Sequence, residues 1–350
     1  MCGIAGILDL GGAQPISASV LKTMGDSMVH RGPDGAGQWV SDDSKVGFAH
    51  RRLAIVDLSD AAAQPMSNGD GSVWVTFNGE IYNHVALRRT LEQAGHCFRT
   101  DHSDTEVLVH GFTEWGIDGL LERIEGMFAF GLWDDNEKHL YLARDRIGIK
   151  PVYFTRTATA FVFASEIKAT LTDPKIPRAI EPAAVNHYLS FMVAPAPLTM
   201  FKNIFKLPAG HVMKIDEAGR MQSRRFWDEL PGNGIEPNET KGMSEAALEV
   251  FYSTGVRRRL EASIDKRMMS DVPFGVFLSG GIDSSANVAL MSRLMDHPVE
   301  TFTVGFKDHR QLNELEYARM VAGEFKTNHH EILINEQDMV GYLDDLVYQQ

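Results

Sequence analysis

Cysteine stands at position 2 of this chain, directly behind the initiator methionine, in the stretch MCGIAGILDL. Initiator methionine is normally removed when the next residue is small, and cysteine is small enough. The product would carry a thiol and a free α-amine on one residue. Such an amine titrates at about 7.7–8, close to the pH at which a general base works best. A thiol with its own base beside it is an N-terminal nucleophile, by the logic that serves threonine in N-terminal hydrolases. The plain alternative is a cysteine that happens to lie at a frayed end.

A second chemical locus is SGGIDSS, Ser279–Ser285. It follows a short apolar stretch, GVFL (Gly275–Leu278), and precedes a run with helical spacing, which is where a phosphate-binding loop belongs. Gly280 and Gly281 let backbone N–H groups approach an anion, and the helix start adds its dipole. Ser279, Ser284 and Ser285 offer hydroxyls. Asp283 suits a Mg²⁺ ion held on phosphates. No Walker lysine accompanies the loop, which disfavours kinase- or GTPase-style transfer of a terminal phosphate. Without that chemistry the segment is a tight glycine turn capped by serine and aspartate.

Three other features carry plainer readings. Cys97, in GHCFRT, is expected to be a buried small hydrophobe. His329 and His330 precede an expected strand and lack further ligands at metal spacing, so they read as structural. HRGPDG (His30–Gly35) is turn chemistry.

The elements that must hold the two loci differ in rhythm. The first two hundred residues read mostly as short strands and hairpins with two helices. VWVTF (Val73–Phe77) is a strand running into the turn-forming NGE of Asn78–Glu80. Leu87, Leu91 and Ala94 are spaced for a helix that Gly95 can close. SDTE (Ser103–Glu106) matches a capping box, with Ser103 as N-cap, ahead of a face made by Leu108, Phe112 and Trp115. MFAFGLWD and HLYLARD form a hairpin about the polar DNEK turn, and PVYF and FVFAS add further strands. This pattern predicts an α+β layered domain of antiparallel sheets and helices. PGNGIEPNETKG (Pro231–Gly242) is the best linker in the chain.

Beyond it, Leu248, Tyr252, Val256, Leu260 and Ile264 make a helical stripe. GVFL reads as a short, wholly apolar strand, TFTVGF as a second buried strand and EILI as a third strand. Between them lie helical faces made by Val288, Met291 and Met295, then by Leu315, Ala318, Ala322 and Phe325. That alternation predicts an α/β doubly wound parallel sheet.

Composition narrows the class. With 350 residues, two domains are the default; 44% hydrophobic and 23% charged residues suit a globular enzyme. The 34 basic and 47 acidic side chains give −13. No Lys/Arg-rich run is present, so a nucleic-acid partner is not expected. Two cysteines make no disulfide framework. The opening apolar run stops at Asp9 with no basic residue before it, and no run is long enough to span a bilayer. The expected location is the cytoplasm, with no membrane partner.

The motifs in combination carry a resemblance. MCGIAG, HRGPDG, HRRLAIVD (His50–Asp57), FNGEIYN (Phe77–Asn83), SDTE and RDRIGIKPVY (Arg144–Tyr153) resemble class II, N-terminal nucleophile, glutamine amidotransferase domains. SGGIDSS followed by TFTVGF resembles the N-type ATP pyrophosphatase domain. In this order they resemble the glutamine-hydrolysing asparagine synthetase family, from Cys2 nearly to Gln350. The resemblance places a glutaminase domain at 2–205, a connecting segment and linker at 206–242, and the start of a synthetase domain at 243–350.

That family implies roles for the matching positions. Cys2 would attack the glutamine carboxamide, with its own α-amine as base. Asn78 and the Gly79 N–H would form the oxyanion hole; read alone, they are a hairpin turn. Arg52 would clamp the glutamine α-carboxylate, and Asp104 with Glu80 would hold its α-amine. Asp104 is otherwise a dipole partner in the first turn of a helix, and Arg52 a solvated strand residue. Ser279, Gly281, Asp283 and Ser284 would hold pyrophosphate and Mg²⁺, while Leu278, Val304 and Gly305 would border the adenosine. Leu278 and Val304 are equally explained as buried strand residues. Ammonia freed at Cys2 would travel inside the protein to an acyl-adenylate made from aspartate and ATP. A homodimer is left open.

The chain also departs from the family. Its matches include no S-G-E-G-x-D-E segment, which in relatives supplies a second set of acids around Mg²⁺ and the acyl-adenylate. The parallel sheet has three expected strands at Gln350, so the doubly wound domain is expected to be incomplete. Three functional classes follow: an ATP-dependent amide ligase fed by glutamine, a related amidotransferase acting on a sugar or β-amino acid, and a sensor that binds without turnover. Cys2 with its oxyanion donors argues against the third.

Overall fold

The computed structural model describes residues 1–11, 15–228, 238–308 and 313–349. Two compact units divide the chain, Met1–Leu230 and Pro231–Gln350.

The first unit opens with β1 (Gly3–Asp9), α1 (Ala18–Asp26), β2 (Gly35–Val40), β3 (Val46–Arg52), β4 (Met66–Ser67) and β5 (Val73–Ile81). Helices α2 (His84–Gln93) and α3 (Glu106–Arg123) follow, then β6 (Gly126–Asp134), β7 (His139–Arg144), β8 (Tyr153–Arg156) and β9 (Ala160–Ala164). The unit closes with α4 (Ile167–Thr170), α5 (Pro182–Phe191), β10 (Ile204–Lys206), β11 (His211–Asp216) and β12 (Met221–Arg225). Two six-stranded sheets result, ordered β10-β8-β9-β1-β3-β2 and β12-β11-β7-β6-β5-β4.

Strand alternation explains the layering. Ile4 and Leu8 of β1, Phe48 of β3 and Phe163 of β9 meet Trp133, Leu140 and Leu142 of the second sheet in one buried cluster. The opposite faces carry helices: Ala5, Ala49 and Val162 pack with Leu21 and Met24 of α1, while Val75, Phe77 and Phe130 pack with Leu87, Leu91, Leu108 and Phe112 of α2 and α3. Two antiparallel sheets thus lie between helical layers, as the pattern predicts. The hairpin about DNEK pairs Asp134 with His139.

Several local expectations are corrected. NGE is not a turn: β5 runs through it, pairing Asn78 with Ala129 and Gly79 with Phe128. A Cβ on Gly79 would lie 2.2 Å from the Met127 carbonyl, so glycine is what lets the strands close there. SDTE makes no capping box: α3 starts at Glu106 with Thr105 as a cap that makes no side-chain bond. The Glu106 carboxylate turns instead to Arg99 N (2.8 Å) and Thr100 N (2.9 Å). The first unit also has more helix than the two expected, since α1 starts at a Ser17 N-cap and α5 has proline in its first turn. Strands β11 and β12 lie within 206–242, so the first compact unit reaches past residue 205. Cys97 is exposed rather than buried; its neighbour Phe98 takes the place against the core.

In the linker, residues 231–237 lie outside the described residues. The second unit contains α6 (Glu245–Arg267), β13 (Gly275–Phe277), α7 (Ile282–Leu294), β14 (Glu300–Phe306), α8 (Leu315–Phe325), β15 (Asn328–Ile334), α9 (Glu336–Gly341) and α10 (Leu343–Gln349). Its strands form a parallel sheet, β13-β14-β15. Val288 and Met291 of α7 and Ala318 and Ala322 of α8 are buried, as their spacing predicts. Three expectations change. β14 is buried on one face alone, with Thr301 and Thr303 in and Val304 52% exposed, and no residue of β13 is buried. The α6 stripe is mostly exposed within this unit, only Ile264 being buried. His329 and His330 lie within β15 rather than before it, bonded to Thr301 and Glu300 respectively.

Candidate functional site

Cys2 leads into β1, whose pairing with β3 and β9 fixes where the thiol lies. The sulfur is half-buried against Leu53, whose N–H donates to Sγ at 3.4 Å. Burial pushes the Cys2 thiol above its ordinary value. A thiol so placed needs a base.

Around it lies a cavity of about 180 Å³ lined by Met1, Cys2, Arg52, Asn78, Gly79, Glu80, Asp104 and Lys150, among others. That volume is below the ~300 Å³ of pockets for larger ligands and suits an amino acid. The structure therefore brings together all the residues assigned to the glutamine site: Cys2, Arg52, Asn78, Gly79, Glu80 and Asp104.

The polar groups face each other in a telling way. Asn78 is 1% exposed and its Nδ2 has no hydrogen-bond partner. A buried donor left unpaired costs about 1–3 kcal/mol and asks for an acceptor. Opposite charges are disposed separately. Arg52 donates to the carbonyls of Asp57 and Ser59, which fixes its guanidinium at the cavity wall. Asp104 is fully enclosed, accepting from Ile81 N at 2.9 Å. Burial pushes its carboxyl up to about 7, and the neighbouring Glu80 adds to the rise. Two acids, Glu80 and Asp104, sharing a cavity with the guanidinium of Arg52 match the opposite charges of a zwitterion, and Lys150 adds a second cation to the lining.

Sequence reasoning missed the support beneath Cys2. Arg31 donates Nε–H to the Cys2 carbonyl at 2.9 Å and pairs with Glu166 at 3.0 Å. Glu166 also meets His30 and Lys168. Burial alone would raise its carboxyl, but the bonds from Lys168, Arg31 and His30 more than offset this and hold it low. The signal was present, since Arg31 lies in HRGPDG; its partner follows FVFAS, 135 residues on.

The second locus is built on its own unit. Ser279 Oγ and Ser284 Oγ lie 2.9 Å apart, and the Gly281 N–H donates to Ser279 Oγ at 3.3 Å. Gly280 has φ +79°, and a Cβ there would lie 2.4 Å from Tyr317 Cβ, so both backbone and space require glycine. Asp283 stands exposed in the first turn of α7. Leu278, Ser279 and Val304 line a cavity of about 370 Å³ with Phe277 and Phe302. Gly305 adjoins it, with Leu315 in the space a Cβ would take.

Residues 1–227 match the model of the glutamine amidotransferase domain family. The chain belongs to that family. Residues 255–350 match a second family model, asparagine synthase. Among curated relatives, asparagine synthetase [glutamine-hydrolyzing] 2 of Bacillus subtilis (strain 168) is 37% identical over 95% of this chain and 44% of its own length. A putative asparagine synthetase [glutamine-hydrolyzing] 2 of Methanocaldococcus jannaschii is 32% identical over 98% of this chain and 67% of its own. The chain spans about half the length of the first curated relatives it matches. Glutamine phosphoribosylpyrophosphate amidotransferase from B. subtilis, solved with ADP and GMP, aligns at a TM-score of 0.50 with 18% identity. That alignment covers 94% of this chain and 65% of the other, and it is a likeness of fold. Among the described residues, no helix is long and apolar enough to cross a membrane.

Proposed function

We propose that the first unit hydrolyses glutamine at Cys2 and that the whole protein uses the ammonia to make asparagine from aspartate and ATP. What carries the first step is the convergence on one cavity of a half-buried thiol, an unpartnered buried amide and two acids facing one arginine. Once Met1 is removed, the Cys2 α-amine takes the thiol proton.

The sulfur then attacks the carboxamide carbon. Asn78 Nδ2–H and the Gly79 N–H receive the oxyanion, while Arg52 holds the α-carboxylate and Asp104 with Glu80 the α-ammonium. The Cys2 amine returns its proton to the leaving nitrogen, the C–N bond breaks, and ammonia departs from a γ-glutamyl thioester. Water, deprotonated by the same amine, breaks the C–S bond and frees glutamate.

In the second unit, Ser279, Gly281 and Ser284 would hold the ATP phosphates, with adenosine against Leu278, Val304 and Gly305. Mg²⁺ takes one or two carboxylates plus phosphate oxygens, and Asp283 would be one of them; when bound the ion would neutralise phosphate charge. Attack of the aspartate carboxylate on ATP would release pyrophosphate and give an acyl-adenylate. Ammonia would resolve this to asparagine and AMP. We place this chemistry in the cytoplasm. Glutamate release from glutamine, abolished in Cys2→Ala, tests the first half; asparagine formation in the presence of ATP, Mg²⁺ and aspartate tests the second.

A further inference from the structure

Lys150 lines the same cavity as Cys2 and is 5% exposed. Among the described residues its ammonium makes no hydrogen bond and no ion pair. Its charge faces the cavity beside Glu80 and Cys2, the groups that pull its amine up, so an anion formed in the cavity meets a cation that holds no hydrogen-bond partner.

The chain invests heavily in putting it there. Asp145, itself 1% exposed, accepts four backbone N–H groups: Ile147 (3.2 Å) and Ile149 (2.9 Å) on Oδ1, Phe128 (3.1 Å) and Lys150 (2.9 Å) on Oδ2. Arg144 donates to the carbonyls of Gly148 (2.7 Å), Lys150 (2.8 Å) and Leu207 (2.8 Å). The loop between β7 and β8 is thus locked from both sides. Ile147 and Ile149 point outward, 63% and 42% exposed, and Lys150 is the side chain turned in.

Resting on the glutaminase reading, we propose that the Lys150 ammonium is a further catalytic group of this site, the cation that stabilises negative charge on the Cys2 sulfur and on the oxyanion it creates. Two other cations act on the Cys2 thiol, the chain's first amine and Arg52, and the remaining charges are committed or opposite in sign. Arg31 is bound to Glu166 and to the Cys2 carbonyl. Arg52 is held by Asp57 and Ser59 at the cavity wall, and Asp145 is consumed by the loop. Glu80 and Asp104 are acids, which discourage a thiolate. Burial pulls the Lys150 amine below its ordinary value, whereas Glu80 and Cys2 pull it up. A lysine so desolvated interacts strongly with an anion formed beside it.

The test uses the Met1-free chain, with iodoacetamide as the probe of the thiolate and glutamate release as the assay. Lys150→Met should move the pH midpoint of Cys2 alkylation up by about one unit. It should lower kcat about 10²-fold and leave KM for glutamine within about threefold. Lys150→Arg, which keeps the charge, should keep the midpoint near wild type and recover part of kcat; this variant decides the matter if the methionine variant does not fold. An unmoved midpoint in Lys150→Met, a raised midpoint in Lys150→Arg, or a rise in KM with kcat retained would overturn the proposal. The last pattern would make Lys150 a partner of Glu80 in substrate binding. The alkylation midpoint needs no turnover, so a wild-type chain that releases no glutamate overturns the glutaminase reading separately.

Discussion

The Cys2 carbonyl oxygen accepts from Arg31 Nε at 2.9 Å, and Arg31 in turn rests on Glu166 at 3.0 Å. Cys2 is therefore located from behind, by a cation on a different element from its own strand. Ser165, next to Glu166, completes the clamp by donating N–H to the Ile4 carbonyl at 2.8 Å and accepting from Ile4 N at 3.0 Å.

Glu166→Ala should leave Arg31 a buried cation, since both side chains are 10% exposed. Breaking such a pair costs about 3–5 kcal/mol, a fall of about 10 °C in Tm for a domain of this size. The carboxyl is held low, so its contribution is full above the ordinary carboxylate range and fades as pH falls below it. Thermal unfolding of wild type and variant between pH 3 and 8 checks both statements. Equal Tm values at neutral pH would show that Arg31 finds another partner.

Asn78→Ala should separate catalysis from stability. Its amide Nδ2 is unpaired in the fold, so its loss removes no hydrogen bond. We expect kcat to fall about 10²–10³-fold with KM little changed. Steady-state glutaminase kinetics beside a melting curve decide it. A KM effect alone would move Asn78 from the oxyanion to ground-state binding.

Asp104 should impose a pH limb on glutamine binding. With its carboxyl up at about 7, the acid takes up a proton as pH falls through neutrality, and the α-ammonium loses an anion. Glutamine KM should therefore rise below about pH 7, and Asp104→Asn should raise KM throughout while flattening that limb. For the unliganded domain the sign is opposite: the folded state binds the proton more tightly than the unfolded chain, so this group's stability is lost as pH rises through about 7. At pH 8 the asparagine variant should melt higher than wild type. A KM for wild type that is level from pH 5.5 to 8 would contradict the assignment.

Gly280→Ala should abolish nucleotide binding by the second unit while sparing glutamine hydrolysis. The φ of +79° and the Tyr317 side chain both exclude a Cβ. Calorimetric titration with ATP and Mg²⁺ reads the loss; unchanged ATP affinity would show that the loop is not the phosphate site.

How much of this was legible depended on range. Local periodicity gave the hairpin about DNEK and the α7 and α8 faces. It also gave the strand–loop–helix around SGGIDSS, because each is decided within about ten residues. NGE misled because its residues favour turns, yet β6 pairs with them and overrides the preference. The capping box failed because Glu106 found backbone donors at Arg99 and Thr100 that no spacing rule anticipates. The residues proposed for glutamine were reached through motif resemblance, and the structure gathers them around one cavity. Arg31 and Lys150 both lie in motifs that the sequence shows, but their roles were not legible because these lie in contacts across the fold, 135 residues apart for Arg31 and Glu166.

The central claim is a covalent intermediate on an N-terminal cysteine. Acid quenching during turnover of glutamine, followed by mass mapping of the first peptide, reads it directly. The account predicts a peptide that begins at Cys2, without Met1, and carries one γ-glutamyl group on sulfur. A Cys2 peptide that stays unmodified, or that retains Met1, while glutamate accumulates would contradict it.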